Sequence, residues 1–217
     1  MPISSSEVAG TTHATFVATG LLGSAAYLRS GELRTGESRA LVVLLSASSV
    51  VGALAGAGLN AFVSRALFGI LLGGVAMAVG GLICYREWDG LEPVYRIDPE
   101  TRRDRLVLTG LGFVLGVCSG LVGIGGPVLA VPALILLGVP MLGAVAVAQV
   151  QSIFIAVFAT TGYLAQGSVI PSLAVVVGTP LLLGVVVGWR VAHLIDPERL
   201  KVALGVALVL IGPVLAF

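Results

Sequence analysis

The chain has 217 residues, 57% of them hydrophobic and 11% charged, with a formal net charge of +1. Its mean hydropathy is +1.08. A soluble domain of this size needs far more charge to cover its surface, and no basic patch with interleaved aromatics offers a footing for nucleic acid.

A helix needs about 20 apolar residues to cross the ~30 Å hydrocarbon core of a bilayer. Runs of that kind occupy 8–28, 40–60 and 64–85, and no Lys or Arg precedes Arg29, so a signal peptide is not expected there. "REWDGLEPVYRIDPETRRDR", residues 86–105, is the one sizeable polar segment and holds five of the twelve basic residues, so it is expected to be a solvated loop. From Leu106 to Trp189 there is no Asp, Glu, Lys or Arg. Within that stretch, 106–138 is too long for one ordinary crossing, and further runs follow at 141–165, 170–189 and 199–217. The pattern predicts an all-α, polytopic membrane helical bundle of about seven to eight transmembrane segments. Its solvent is the lipid bilayer, and its expected place is the cell (plasma) membrane, as a multi-pass protein.

The two sides of the polar loop are related. Gly52, Gly56, Gly73 and Gly80 repeat the spacing of Gly184, Gly188, Gly205 and Gly212. "TTHATFVA" (11–18) aligns with "QVQSIFIA" (149–156), and Tyr27 and Gly31 then match Tyr163 and Gly167. An internal duplication gives a first membrane repeat of three helices over 1–85, the loop at 86–105, and a second repeat over 106–217. Residues 106–139 have no counterpart in the first half, because Met1-Pro2 stands where Val139-Pro140 stands in the second. Either a first copy was lost or the sequence begins downstream of its natural start. The spaced pairs Gly52/Gly56 and Gly184/Gly188 are expected to let helices pack closely.

"GLVGIGGPVLAVP" (120–132) concentrates four glycines and two prolines in the longest apolar region. Gly123, Gly125 and Gly126 can adopt backbone conformations closed to other residues, and Pro127 suits the first turn of a new helix. The stretch therefore predicts a helix, an irregular turn, and a second helix whose free amides and positive dipole end lie inside the membrane, where they can hold an anion. No Lys-Ser/Thr follows the glycines, which excludes a nucleotide loop.

The stretch "GVCSGLVGIGGPVLAVPALILLGVP", with "EVAGTTHA" near the start and "ERLKVALGV" near the end, resembles the sulfite exporter TauE/SafE family along nearly the whole chain. The first-repeat copy of the glycine motif is missing. The resemblance implies a small transporter of sulfur-containing anions such as sulfite or organosulfonates, built as two similar halves. The alternative is a non-transporting membrane subunit or scaffold that needs a partner chain.

Intramembrane polar residues supply the remaining candidates. Thr11, Thr12 and His13 open the first segment, and Gln149, Gln151 and Ser152 occupy the matching part of the fourth. With Gly123, Gly125, Gly126 and Pro127 they are expected to line the substrate path, neutral donors being suited to a passing anion. A second copy of the chain, as a homodimer, is the expected supplier of any missing wall. The apolar segments hold no catalytic constellation, no metal-ligand cluster and no cofactor motif, so an enzyme is not expected. Cys84 and Cys118, far apart in apolar segments, are expected to be small buried hydrophobes. Basic residues fall eleven to one on the two sides if 106–138 enters and returns, and eight to four if it crosses once. The positive-inside rule thus favours the doubled-back path, with the 86–105 loop in the cytoplasm.

Overall fold

A computed structural model describes residues 4–88 and 95–216. Among these residues the chain is all-helical: α1 (Ser5–Ser30), α2 (Gly36–Asn60), α3 (Arg65–Trp88), α4 (Arg102–Val122), α5 (Gly126–Leu136), α6 (Met141–Ala165), α7 (Pro171–Leu194) and α8 (Pro197–Ala216). By length and composition α2, α4, α6 and α7 are apolar enough to cross a membrane. Each predicted apolar run became one helix except 106–138, which divides at the glycines into α4 and α5. Part of the expected polar loop, residues 89–94, lies outside the described residues, and its last residues are helical.

Local chemistry sets these boundaries. Ser4 and Glu7 form a capping box, with the Ser4 hydroxyl accepting from the Glu7 amide and the Glu7 carboxylate accepting from the Ser4 amide at 2.8 Å. Thr101 caps α4 by accepting from the Asp104 amide at 3.2 Å. Asp104, only 2% exposed, also accepts from the Tyr95 hydroxyl and from the Asp98 amide, so the loop is stitched to the start of α4. That extra capping explains why α4 starts ahead of the apolar run.

Helix directions follow from the contacts. Gly10 lies on Tyr163 and Gly20 on Ile153, so α1 and α6 run antiparallel. Gly80 lies on Gly205 and Gly212 on Met77, so α3 and α8 do too. By contrast α2 runs parallel to α4 and α6, and α1 parallel to α7. The helices matched between the expected repeats, α1–α3 in 1–85 and α6–α8 in 106–217, therefore run in opposite senses, the pattern of an inverted duplication.

The α4–α5 region enters and returns. The Ile97 amide, just ahead of α4, donates to Leu137 O, just past α5, at 3.0 Å. The α1–α2 loop shares this end, since Gly36 and Glu37 line one cavity with Arg96 and Gly138. So does the end of α7, where His193 Nε2 lies 2.9 Å from Glu32 Oε1. This is the eleven-to-one arrangement of basic residues, with Arg65 alone at the opposite end. Single cysteines at Glu100 and Asp196 are expected to react with an impermeant thiol reagent from the same side of the membrane. Labelling from opposite sides would contradict the doubled-back path.

The two spaced glycine pairs, alike in sequence, differ in their surroundings. A Cβ on Gly52 would stand 2.9 Å from Val117 N, and one on Gly56 would stand 2.7 Å from Leu121 N, both rigid backbone of α4. Nothing lies within 4 Å of such an atom on Gly184 or Gly188. The expectation that both pairs serve helix packing is corrected here: only the first pair does so among the described residues. Gly56→Ala must push two helix backbones apart. It should destabilise the protein by about 1–3 kcal/mol, as overpacking does. Gly188→Ala should leave the unfolding midpoint in detergent unchanged or slightly raised.

Candidate functional site

The break between α4 and α5 organises the polar interior. Gly123 is left-handed (φ 73°, ψ 23°) and ends α4, its amide donating to Ser119 O at 2.8 Å. Gly125 takes φ 78° and ψ 153°, a region essentially closed to residues with a Cβ. Gly126 opens α5 with an ordinary negative φ, and Pro127 sits in the first turn. The three glycines thus divide the work: two are needed for their backbone angles and the third for space. A Cβ on Gly126 would stand 3.1 Å from the Ser152 Cα, and one on Gly125 would stand 3.0 Å from the Phe16 ring.

A helix end inside a membrane exposes carbonyls that cost several kcal/mol each if unpaired. Here three neighbouring helices cover them. His13 Nε2 lies 2.9 Å from Ser119 O. A carbonyl can only accept, so Nε2 carries the proton and Nδ1 is the bare nitrogen. The Tyr163 hydroxyl donates to Gly120 O at 2.8 Å, and Asn60 Nδ2 donates to Leu121 O at 2.6 Å. The α4 terminus is therefore closed by α1, α6 and α2. The start of α5 is not: no side chain caps it, and the positive end of the helix dipole falls at its first-turn amides, Gly126 and Val128.

The sequence-predicted residues divide into two groups. His13, fully buried, lies against the turn and stacks on Tyr163 with ring centroids 6.2 Å apart. Ser152 packs against Gly126. Gln151, also fully buried, donates through Nε2 to Ser49 Oγ at 2.7 Å, and Ser49 donates to Gly112 O at 3.0 Å, which joins α6, α2 and α4. His13 and Ser152 thus lie beside the turn of Gly123, Gly125, Gly126 and Pro127, while Gln151 ties α6 to α2 and α4. The partners of Thr11, Thr12 and Gln149 lie elsewhere. Thr11 accepts from the Ile170 amide at 3.0 Å and so fastens the start of α7. Thr12 donates back to Val8 O at 2.7 Å. Gln149 lies against Gly23 and faces a groove beside α7.

Several polar atoms around the turn are buried without a hydrogen-bond partner among the described residues: His13 Nδ1, Gln151 Oε1 and Ser119 Oγ. In a membrane interior such atoms are expensive. Sequence reasoning missed Ser119, Ser49, Asn60 and Tyr163. Asn60 carried a signal, being an amide in an apolar run, and Tyr163 was noticed only as a repeat marker. No cluster of His, Cys, Asp and Glu suited to a metal occurs among the described residues.

No curated protein and no solved structure matches the chain. The model of one family does, that of the sulfite exporter TauE/SafE proteins, over residues 1–215. An all-helical bundle with several membrane-length helices and a glycine break at its centre fits a family of membrane anion exporters. The chain belongs to the sulfite exporter TauE/SafE family.

Proposed function

We propose that the chain moves small sulfur-containing anions, sulfite or an organosulfonate, across the plasma membrane, with the start of α5 as the point that holds them. One observation carries this reading: two helix ends meet inside the bundle, and only the carbonyl end is capped by side chains. Bare amides at a helix N-terminus attract negative charge without a fixed cation. A neutral site of this kind holds an anion loosely enough to release it. Ser119 and Ser152 can add hydroxyl donors, and the 86–105 loop faces the cytoplasm by the positive-inside rule.

The test is flux into liposomes containing the purified protein, with sulfite and a short organosulfonate compared against sulfate. Flux of the first two well above that of protein-free liposomes, with sulfate slower, is the expected outcome. Flux no greater than in protein-free liposomes for all three would leave the second reading, a membrane subunit that works only with a partner chain. The glycine pair Gly184 and Gly188 on α7, which no described residue covers, favours that second reading.

A further inference from the structure

His193 lies past the apolar run 170–189, in the last turn of α7, on the end of the molecule that also carries the α1–α2 loop. Its ring is held between two acceptors. Nδ1 lies 2.8 Å from Trp189 O, and Nε2 lies 2.9 Å from Glu32 Oε1. A carbonyl and a carboxylate can only accept, and a neutral imidazole has a single N–H. Either neutral tautomer therefore turns a lone pair on one of the two oxygens. Only the doubly protonated ring satisfies both. The surroundings sharpen that demand. The side chains of His193 and Glu32 are 26% and 15% exposed, and Glu32 Oε2 is buried. Tyr27 and Trp189 flank the imidazole with ring centroids 5.7 Å and 4.9 Å away, and aromatic neighbours favour a cation. The carboxylate is itself held in place, because Glu32 O accepts from the Ser38 hydroxyl at 2.9 Å, which ties the loop to the first turn of α2.

We infer that Glu32 and His193 form a proton-operated latch between the α1–α2 loop and the end of α7, closed while both ring nitrogens carry protons and open when one is lost. A tie that needs the proton is complete below about pH 6.5, the value of an unperturbed histidine, and weakens as the pH rises past it. Glu32 is the charged group on the ring. Of the other groups around it, Tyr27 on α1 is a phenol that stays protonated in this range. Arg29, Arg34, Arg190, Asp196 and Glu198 are exposed, where water and salt screen them. Helices α6 and α8 present Val145, Gln149, Leu200 and Ala203 on the Trp189 side, none of them titratable. The rest of α7 leaves this end free to part from α1. Only Gly178 and Ala192 are buried along it. Its far end is fastened by the Ile170 amide on Thr11 Oγ1 at 3.0 Å, a bond that does not titrate. At the near end Trp189 Nε1 adds a longer bond to Ser30 Oγ, at 3.3 Å. Loss of the proton therefore lets α7 pivot at Thr11 and widens the groove that Tyr27, Gln149 and Trp189 line. On the positive-inside reading this end is cytoplasmic, so the latch closes when the cytoplasm acidifies.

The test uses the full chain in lipid nanodiscs, with Cys84→Ser and Cys118→Ser, and spin labels on Arg34→Cys and Leu194→Cys, both exposed positions. The distance between the labels is read at about pH 5.5 and about pH 8.5, on either side of histidine's usual value. It is expected to be short and sharply distributed in acid, and to shift to longer, broader values in base. His193→Gln, which does not titrate, should give one distribution at both pH values. Glu32→Gln should remove the pH dependence in the same way, because the carboxylate that calls for the second proton is gone. A label distance that does not change with pH while His193 and Glu32 are in place would overturn the inference. So would a shift that survives either substitution. The measurement needs no anion, so this inference and the transport reading can fail separately.

Discussion

Gly125→Val is expected to abolish anion flux while the protein still inserts and purifies in normal yield. Gly125 holds φ 78° and ψ 153°, and a β-branched residue there carries strain of about 1–3 kcal/mol. The strain is relieved only by turning the peptide plane, which re-aims the first amides of α5. The new side chain would also press on the Phe16 ring, 3.0 Å from the built Cβ. Gly126→Val should act by a different route. Its backbone has no positive φ, so the obstruction is the Ser152 backbone at 3.1 Å, which would lift α5 off α6. Flux by Gly125→Val equal to that of the unaltered protein at matched density would remove the break from the transport path.

The second large effect is expected from the caps of α4. Tyr163→Phe keeps the ring and its stacking on His13 but removes the donor to Gly120 O. Asn60→Leu removes the donor to Leu121 O. The first leaves the Gly120 carbonyl unpaired and the second leaves the Leu121 carbonyl only a long contact with Tyr163, at about 1–3 kcal/mol each. Together they should destabilise by more than their sum, because Tyr163 also reaches Leu121 O at 3.4 Å and loses the chance to compensate. Unfolding midpoints of the two single variants and the double in one detergent decide this. Unchanged midpoints would mean that the carbonyls find other partners and that the caps are incidental.

The apolar spans and the break at 123–127 were legible because both rest on local rules: the length needed to cross a bilayer, and the backbone freedom of glycine. The caps were not legible. His13, Asn60 and Tyr163 lie on three helices, and only their packing brings them to one helix end. Periodicity within a segment holds no record of a meeting between segments. Thr11 shows the same limit from the other side. It stands two residues from His13 in the sequence, yet two residues of helix rotation, about 200°, turn it towards Ile170, away from the turn. Gly184 and Gly188 look like Gly52 and Gly56 in every local respect, and what separates them is a neighbouring helix. No reading of spacing alone could reveal that.

The short length of α5 has an electrical consequence. Its eleven residues span about 16 Å, roughly half of a ~30 Å hydrocarbon core. An anion seated at its first turn has therefore crossed about half of the membrane field. One elementary charge moved through the whole field gains or loses about 2.3 kcal/mol per 100 mV, so half of that applies to loading the site. Occupancy should then change about sevenfold per 100 mV, and flux at sub-saturating anion should follow a potassium diffusion potential with that steepness. A flux indifferent to the imposed potential would place the binding point at the membrane surface, away from the α5 terminus.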